Sequence, residues 1–285
     1  MNVRILAWMI KMANDAPLGV FDSGLGGLTV VKALRALLPQ ESIASFGDTA
    51  RLPYGTKSPA TVYQFTRQCL RFLMSLRPKL LVVACNTATA LALTKLRNDF
   101  DVPIIGVIEP GAQAAVEVAR HTITKRIGLI ATEATIASNA YPTTVHELDP
   151  QVQVIGRACP LLVPMIEEGR EPTDPIVELV LREYLAPFVD LEASAMILGC
   201  THYPLFAAAI AKTLGDRVQL IDSAKQTALV VRAQLDTMNA RTTSSDGRLT
   251  CYVTDQGQRF ERLASRFLGE PIGQPVWVTP EMLEE

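Results

Sequence analysis

Short apolar runs alternate with stretches of helical spacing through most of the chain. Runs at 18–21, 43–46, 80–84, 104–107, 126–131, 152–155, 196–198 and 218–221 predict strands. Between them, 28–38, 59–76, 88–97, 112–120, 135–147, 161–168, 175–189, 205–214 and 225–238 carry apolar residues at helical intervals, and several end near a proline or glycine. Residues 239–247 are rich in Thr and Ser and predict a surface loop. Leu249–Val253 predicts a late edge strand, and 282–285 an acidic frayed tail. Strand–helix alternation over this length argues for an α/β protein with mainly parallel sheets covered by helices on both faces. In such sheets ligands sit beyond the carboxyl ends of the strands. Nearly every unusual residue cluster in this chain falls there.

The two halves echo each other. LVVACNTA at 81–88 resembles MILGCTHY at 196–203: apolar strand, small residue, Cys, polar pair, helix. Asp22-Ser23 after one strand echoes Asp222-Ser223 after another. These echoes predict two pseudo-symmetric α/β domains facing one another across an active-site cleft.

Composition removes other classes. With 285 residues, one large or two moderate domains are expected. Basic and acidic residues number 27 and 29, so no nucleic-acid or membrane surface is indicated. No apolar run reaches the roughly 18 residues of a membrane span. The apolar start at 1–12 is too short and lacks the cleavage site of a signal peptide, so residues 1–16 read as an N-terminal extension. The five cysteines are odd in number, widely spaced and without a CxxC pair, which argues against a disulfide framework or a zinc site. Reduced thiols in a cytoplasmic enzyme fit better.

Cys85 and Cys200 are the centre of the chemical reading. Each follows an apolar strand and opens a helix, where backbone N–H groups and the helix dipole favour thiolate and a lowered thiol pKa. A buried structural Cys is the plainer reading for either alone, but two in the same context, flanked by Asn86, Thr87, Thr201 and His202, suggest a pair. Moving a proton from one face of a carbon to the other needs a base on one side and an acid on the other. Two thiols at opposed strand ends meet that need. Asp22 and His202 are candidate helpers, against plain N-cap and structural-histidine roles. Glu167 is a weaker candidate in a helix-ending segment. The glycines of GLGG at 24–27 match neither dinucleotide nor P-loop spacing. They read instead as letting backbone approach a small anion at a helix N-terminus.

At these residues the chain resembles the glutamate racemase family. The segments are GVFDSGLGGLTV (19–30), FGDTARLPYG (46–55), VVACNTATA (82–90), IGVIEPG (105–111), ACPLLVPMIEEG (158–169) and ILGCTHYPL (197–205). The resemblance implies interconversion of L- and D-glutamate without cofactor or metal, with D-glutamate feeding bacterial peptidoglycan. It places the catalytic cysteines on Cys85 and Cys200, and auxiliary acids on Asp22, Glu167 and His202. Substrate contacts fall on Asp22, Ser23, Tyr54, Gly55, Asn86, Thr87, Thr132, Thr135, Thr201 and His202. It also implies an inserted domain: 1–108 plus 222–285 form the first, 109–221 the second. Two departures are mild: Ala131 stands where the family often has glycine, as does Asn139. In some members an N-terminal extension belongs to binding of a peptidoglycan-precursor activator, which makes residues 1–16 a candidate for that role. Members differ in oligomeric state, with a homodimer among the forms this chain can take.

Other readings remain at this point. A racemase of the same superfamily with another substrate, such as aspartate or hydantoin, shares the two-thiol logic. A Cys/His hydrolase or transferase with Cys200 as nucleophile and His202 as base needs only one thiol. A binding module needs none. A pyridoxal-phosphate racemase needs a Schiff-base lysine, for which the sequence shows no convincing context.

Overall fold

The computed structural model describes residues 14–255 and 260–284. The expectations for residues 1–13, and with them most of the activator segment, lie outside the described residues, as does the end of the acidic tail.

The chain enters on β1 (Leu18–Asp22) and runs through α1 (Leu28–Leu37), β2 (Ile43–Gly47), α2 (Pro59–Ser75), β3 (Leu80–Val83), α3 (Asn86–Asp99) and β4 (Ile104–Gly106). A long helix, α4 (Ile108–Arg120), leads to β5 (Arg126–Ala131), α5 (Glu133–Ala137), α6 (Ala140–Leu148) and β6 (Gln153–Ala158). Then follow α7 (Leu162–Glu167), α8 (Pro175–Asp190), β7 (Ala195–Gly199), α9 (Ala207–Leu214), β8 (Gln219–Ile221) and α10 (Ser223–Thr237). The last elements are β9 (Leu249–Val253), α11 (Phe260–Leu268) and β10 (Val276–Trp277).

Two sheets form, ordered β10-β9-β2-β1-β3-β4 and β6-β5-β7-β8. Every strand pair among the described residues is parallel. The order β2-β1-β3-β4 of the first sheet repeats in the second as β6-β5-β7-β8. Strands β1, β3 and β7 are buried along their whole length, which is why their sequences are apolar without alternation. In both sheets the chain turns from one side of its first strand to the other. That reversal opens a crevice at the carboxyl ends of β1 and β3, and again at β5 and β7.

The α/β class with parallel sheets stands as expected, but several local expectations need correction. The predicted helix at 135–147 is two helices, broken at Asn139, whose φ of 55° is left-handed. A continuous helix would set Pro142 in its interior, where the ring clashes with a carbonyl one turn back; the break moves Pro142 into the first turn of α6. Asn and Gly are the residues that tolerate left-handed backbone, and Asn139 supplies one here. Leu249–Val253 is not an edge strand, because β10 pairs outside it. The echo of Asp22 in Asp222 is not a structural equivalence either. Asp22 ends β1, whose counterpart by strand order is β5, whereas Asp222 follows the edge strand β8 and caps α10 through the Ala224 N–H at 2.9 Å. Helix α4 starts at Ile108, four residues before the apolar spacing predicts, with Pro110 tolerated in its first turn. Among the described residues no helix is long and apolar enough to cross a membrane.

Candidate active site

Cys85 follows β3 and Cys200 follows β7, the third strands of the four-strand order that the two sheets share. The two thiols line one cavity of about 490 Å³ between the sheets. Both are buried, at 6% and 7% exposure, so each reaches only the cleft. The first sheet also supplies Ser23, Tyr54, Gly55, Asn86 and Thr87 to the lining, and the second supplies Thr132, Glu167, Thr201 and His202. Among the described residues no lysine is in that lining.

The surroundings of the two thiols differ. Cys85 caps α3: its sulfur accepts from the Ala88 N–H at 3.4 Å and its thiol donates to Ser23 Oγ at 3.3 Å. Burial, and after it the Asp22 carboxylate, push this thiol up to about 12 against the opposing Ser23 and Ala88 contacts. The lowered pKa expected at a helix N-terminus is therefore not found at Cys85. One N–H contact does not replace the hydration that a thiolate would lose. Cys200 instead lies 3.9 Å from His202 Nδ1, and His202 Nε2 lies 2.9 Å from Glu167 Oε1. Burial alone would favour neutral imidazole. The Cys200 and Glu167 partners outweigh it and push His202 up to about 10. One half of the cleft thus holds a thiol pushed up by burial, and the other sets Cys200 beside a protonated His202 that contacts Glu167.

The sequence profile of the Asp/Glu/Hydantoin racemase family matches residues 28–231. The chain belongs to this family. It is 45% identical over 269 residues to a glutamate racemase of Geobacter metallireducens, covering 94% of this chain and 98% of that one. A crystal structure of the Francisella tularensis glutamate racemase in complex with D-glutamate superposes with a TM-score of 0.87, at 40% identity and over 93% of this chain and 98% of that one. The Escherichia coli glutamate racemase, solved with L-glutamate and the activator UDP-MurNAc-Ala, matches at 25% identity and a TM-score of 0.71, over 88% of this chain and 95% of that one.

In this racemase fold two of the residues expected from the resemblance sit behind the cleft lining. Asp22 is 3% exposed; its Oδ2 accepts the Gly24 N–H at 2.9 Å, while Oδ1 has no partner among the described residues. Burial raises its pKa, although His202 and the Gly24 and Gly27 N–H groups oppose the rise. Thr135 lies beneath Thr132 and Thr87. The three hydroxyls share hydrogen bonds at 2.9 Å (Thr132 with both Thr87 and Thr135) and 3.3 Å (Thr87 with Thr135). The glycine turn does something other than the anion approach read from the sequence. A Cβ on Gly26 would stand 2.1 Å from Thr201 Oγ1, and one on Gly27 would stand 2.4 Å from Asp22 Cβ. The turn is bare so that protein can pack against it. Thr29 completes this contact, its hydroxyl donating to the Thr201 carbonyl at 3.1 Å.

Sequence reasoning missed Asp48, which has no solvent exposure. Its carboxylate accepts from Tyr54 Oη at 2.5 Å, Arg51 Nε at 2.8 Å and Thr254 Oγ1 at 2.9 Å. Those bonds hold the 49–56 segment as one lip of the cleft. Asp48 stands one residue past β2, so the strand-end rule was a usable signal. Tyr141 and helix α11 were also missed. Phe267 of α11 packs edge-on against His202 with ring centroids 4.8 Å apart, and Arg266 donates to the Ile166 carbonyl at 3.1 Å. A C-terminal helix therefore backs the His202–Glu167 pair.

The raised His202 pKa carries a stability prediction. Its ordinary value is about 6.5, so the folded state gains from the proton fully below that pH and loses the gain as pH climbs toward about 10. Each pH unit of displacement is worth about 1.4 kcal/mol. Denaturant unfolding at pH 6 and pH 10 should show the stability advantage of wild type over His202→Gln shrinking by a few kcal/mol. An advantage independent of pH would contradict the buried imidazolium.

Proposed function

We propose that this protein interconverts L- and D-glutamate by proton transfer at Cα, using Cys85 and Cys200 as two acid/base thiols and no cofactor. The observation that carries the reading is that equivalent strand ends of two like sheets deliver one thiol each to a single cleft. In one direction the thiolate at one cysteine removes the Cα proton, becoming a thiol, while the opposite thiol gives its proton to the other face. In the reverse direction the roles exchange. Burial and Asp22 push the Cys85 thiol up, and Cys200 stands beside the His202–Glu167 pair. His202 and Glu167 tune the proton at Cys200, and Asp22 does so behind Cys85. Ser23, Asn86, Thr87 and Thr201 supply hydrogen-bond donors for the carboxylates, with the Tyr54–Gly55 lip and the Thr132–Thr135 hydroxyls alongside.

The glutamate assignment rests on the relatives named glutamate racemase, two of which were solved with glutamate bound. The proposal includes supply of D-glutamate to peptidoglycan in the cytoplasm, and a division into 1–108 plus 222–285 and 109–221 that follows the two sheets. Activation by a peptidoglycan precursor is a further part, supported by the UDP-MurNAc-Ala complex of the Escherichia coli relative. The deciding test is incubation with L-glutamate or D-glutamate in D₂O. Deuterium should enter Cα while optical rotation falls to zero from either side. Glutamate recovered without label would remove the enzyme reading and leave a binding cleft.

A further inference from the structure

Asn86 opens α3 beside Cys85, is 4% exposed, and lines the cleft. A primary amide presents either an acceptor oxygen or a donor NH₂ to a ligand, and its fixed partners decide which. Here the partner comes from the other half of the molecule. Tyr141 of α6 has no solvent exposure, and its hydroxyl donates to Asn86 Oδ1 at 2.7 Å. The same hydroxyl lies 3.3 Å from Ser223 Oγ at the start of α10. Ser223 can donate to Tyr141, and Tyr141 to Asn86, in one relay. Burial keeps the phenol protonated by raising its pKa, against the Ser223 contact.

Gly111 makes room for this relay. A Cβ there would lie 2.7 Å from Ser223 Oγ and 3.5 Å from Tyr141 Oη. Segments around 86, 111, 141 and 223 thus converge on one amide. None of those groups reaches the substrate space except Asn86. Among the described residues Asn86 Nδ2 finds no protein acceptor, and it is not among the sealed, unpartnered polar atoms. With Oδ1 committed to Tyr141, the donor end of the amide is the one left to face the cleft.

We propose that Tyr141 is a positioning residue that locks the Asn86 amide with its NH₂ turned toward the cleft, as a donor for a substrate carboxylate. The inference rests on the glutamate racemase reading and deepens it. A carboxylate accepts hydrogen bonds only, so a flipped amide would set oxygen against oxygen. Tyr141 and Asn86 come from opposite sheets' helices, so the lock joins the two halves of the molecule.

The test is steady-state racemisation by Tyr141→Phe, which keeps the ring and removes the donor. KM for both enantiomers should rise on the order of tenfold, the effect of misdirecting one charge-assisted hydrogen bond, with kcat changed much less. In an Asn86→Ala background the same substitution should leave KM where Asn86→Ala put it, because there is no amide left to orient. An unchanged KM, or an equal rise in both backgrounds, overturns the proposal. Asn86→Asp keeps an acceptor for Tyr141 and removes the donor, so it must raise KM at least as far as Tyr141→Phe. Normal affinity in Asn86→Asp also overturns the proposal, even if Tyr141→Phe fails to fold. Wild-type racemisation is measured alongside: a normal wild type with an unaffected Tyr141→Phe defeats this inference alone.

Discussion

Serine at position 85 or at position 200 is expected to lower racemisation by about 10²–10⁴-fold or more, the range that one placed proton-transfer group supplies. Serine preserves the shape and the cleft lining but is a far weaker acid, so it neither stores a proton to give nor ionises to take one. The two variants should differ in one respect. With one thiol left, the enantiomer whose Cα proton faces that thiol can still lose it and regain a deuteron from the same side. Each variant should therefore retain exchange without inversion for one enantiomer, and the two should retain it for opposite enantiomers. Exchange followed by mass spectrometry, with chiral separation of the product, measures both effects. If Cys85→Ser keeps most activity, chemistry runs on Cys200 and His202 alone, as in a hydrolase, and the two-thiol account fails.

The different surroundings of the thiols sharpen this expectation. Cys85 is pushed up to about 12 by burial and by Asp22, so a thiolate there forms only when something offsets the charge. The α-ammonium of a bound amino acid brings a positive charge into the same cleft. Cys200 has its charge partner built in, through His202 and Glu167 at 3.9 and 2.9 Å. The two thiols thus have unlike surroundings, although the strand ends that carry them are equivalent.

Much of this was legible in the sequence because fully buried parallel strands leave unbroken apolar runs, as at β3 and β7. Cys85 and Cys200 stood out because each interrupts such a run at the end where ligands bind. Local likeness was less dependable than strand order. Asp22-Ser23 and Asp222-Ser223 look alike in one dimension, yet one lies behind Cys85 and the other caps α10 away from the cleft. Thr132, which shares no motif with Asp22, follows its topological counterpart β5. Position in a sheet is set by pairings between distant strands, and those leave no local pattern. Asn139 was legible only in part: Pro142 hinted at a break, but nothing local fixed where the backbone would turn left-handed. Tyr141 gave no signal at all. A tyrosine within a helix reads as core, and its polar contacts are with residues 55 and 82 positions away.

Gly26→Ala is the second substitution expected to be costly, and its effect should reach both stability and turnover. The added methyl would stand 2.1 Å from Thr201 Oγ1 and 2.5 Å from His202 Nδ1, distances that no Cβ adopts. Neither neighbour is the tip of a flexible chain. Thr201 and His202 are buried, the Thr201 carbonyl is held by Thr29, and the His202 ring is held by Glu167 and Phe267. Relief therefore requires the glycine turn to back away from Thr201, or His202 to leave its place beside Cys200. Overpacking of this kind costs about 1–3 kcal/mol, and a displacement near 1 Å at the reacting groups costs on the order of 10²-fold in rate. Thermal unfolding and kcat in both directions would record the two losses together. Gly24→Ala in the same turn is the matched control. Its methyl's three nearest neighbours are all atoms at the branched end of Leu52, the closest at 2.9 Å, and Leu52 is 37% exposed. That variant should keep most of its activity. Equal losses at 24 and 26 would mean that the turn, rather than its fit against Thr201 and His202, is what the glycines serve.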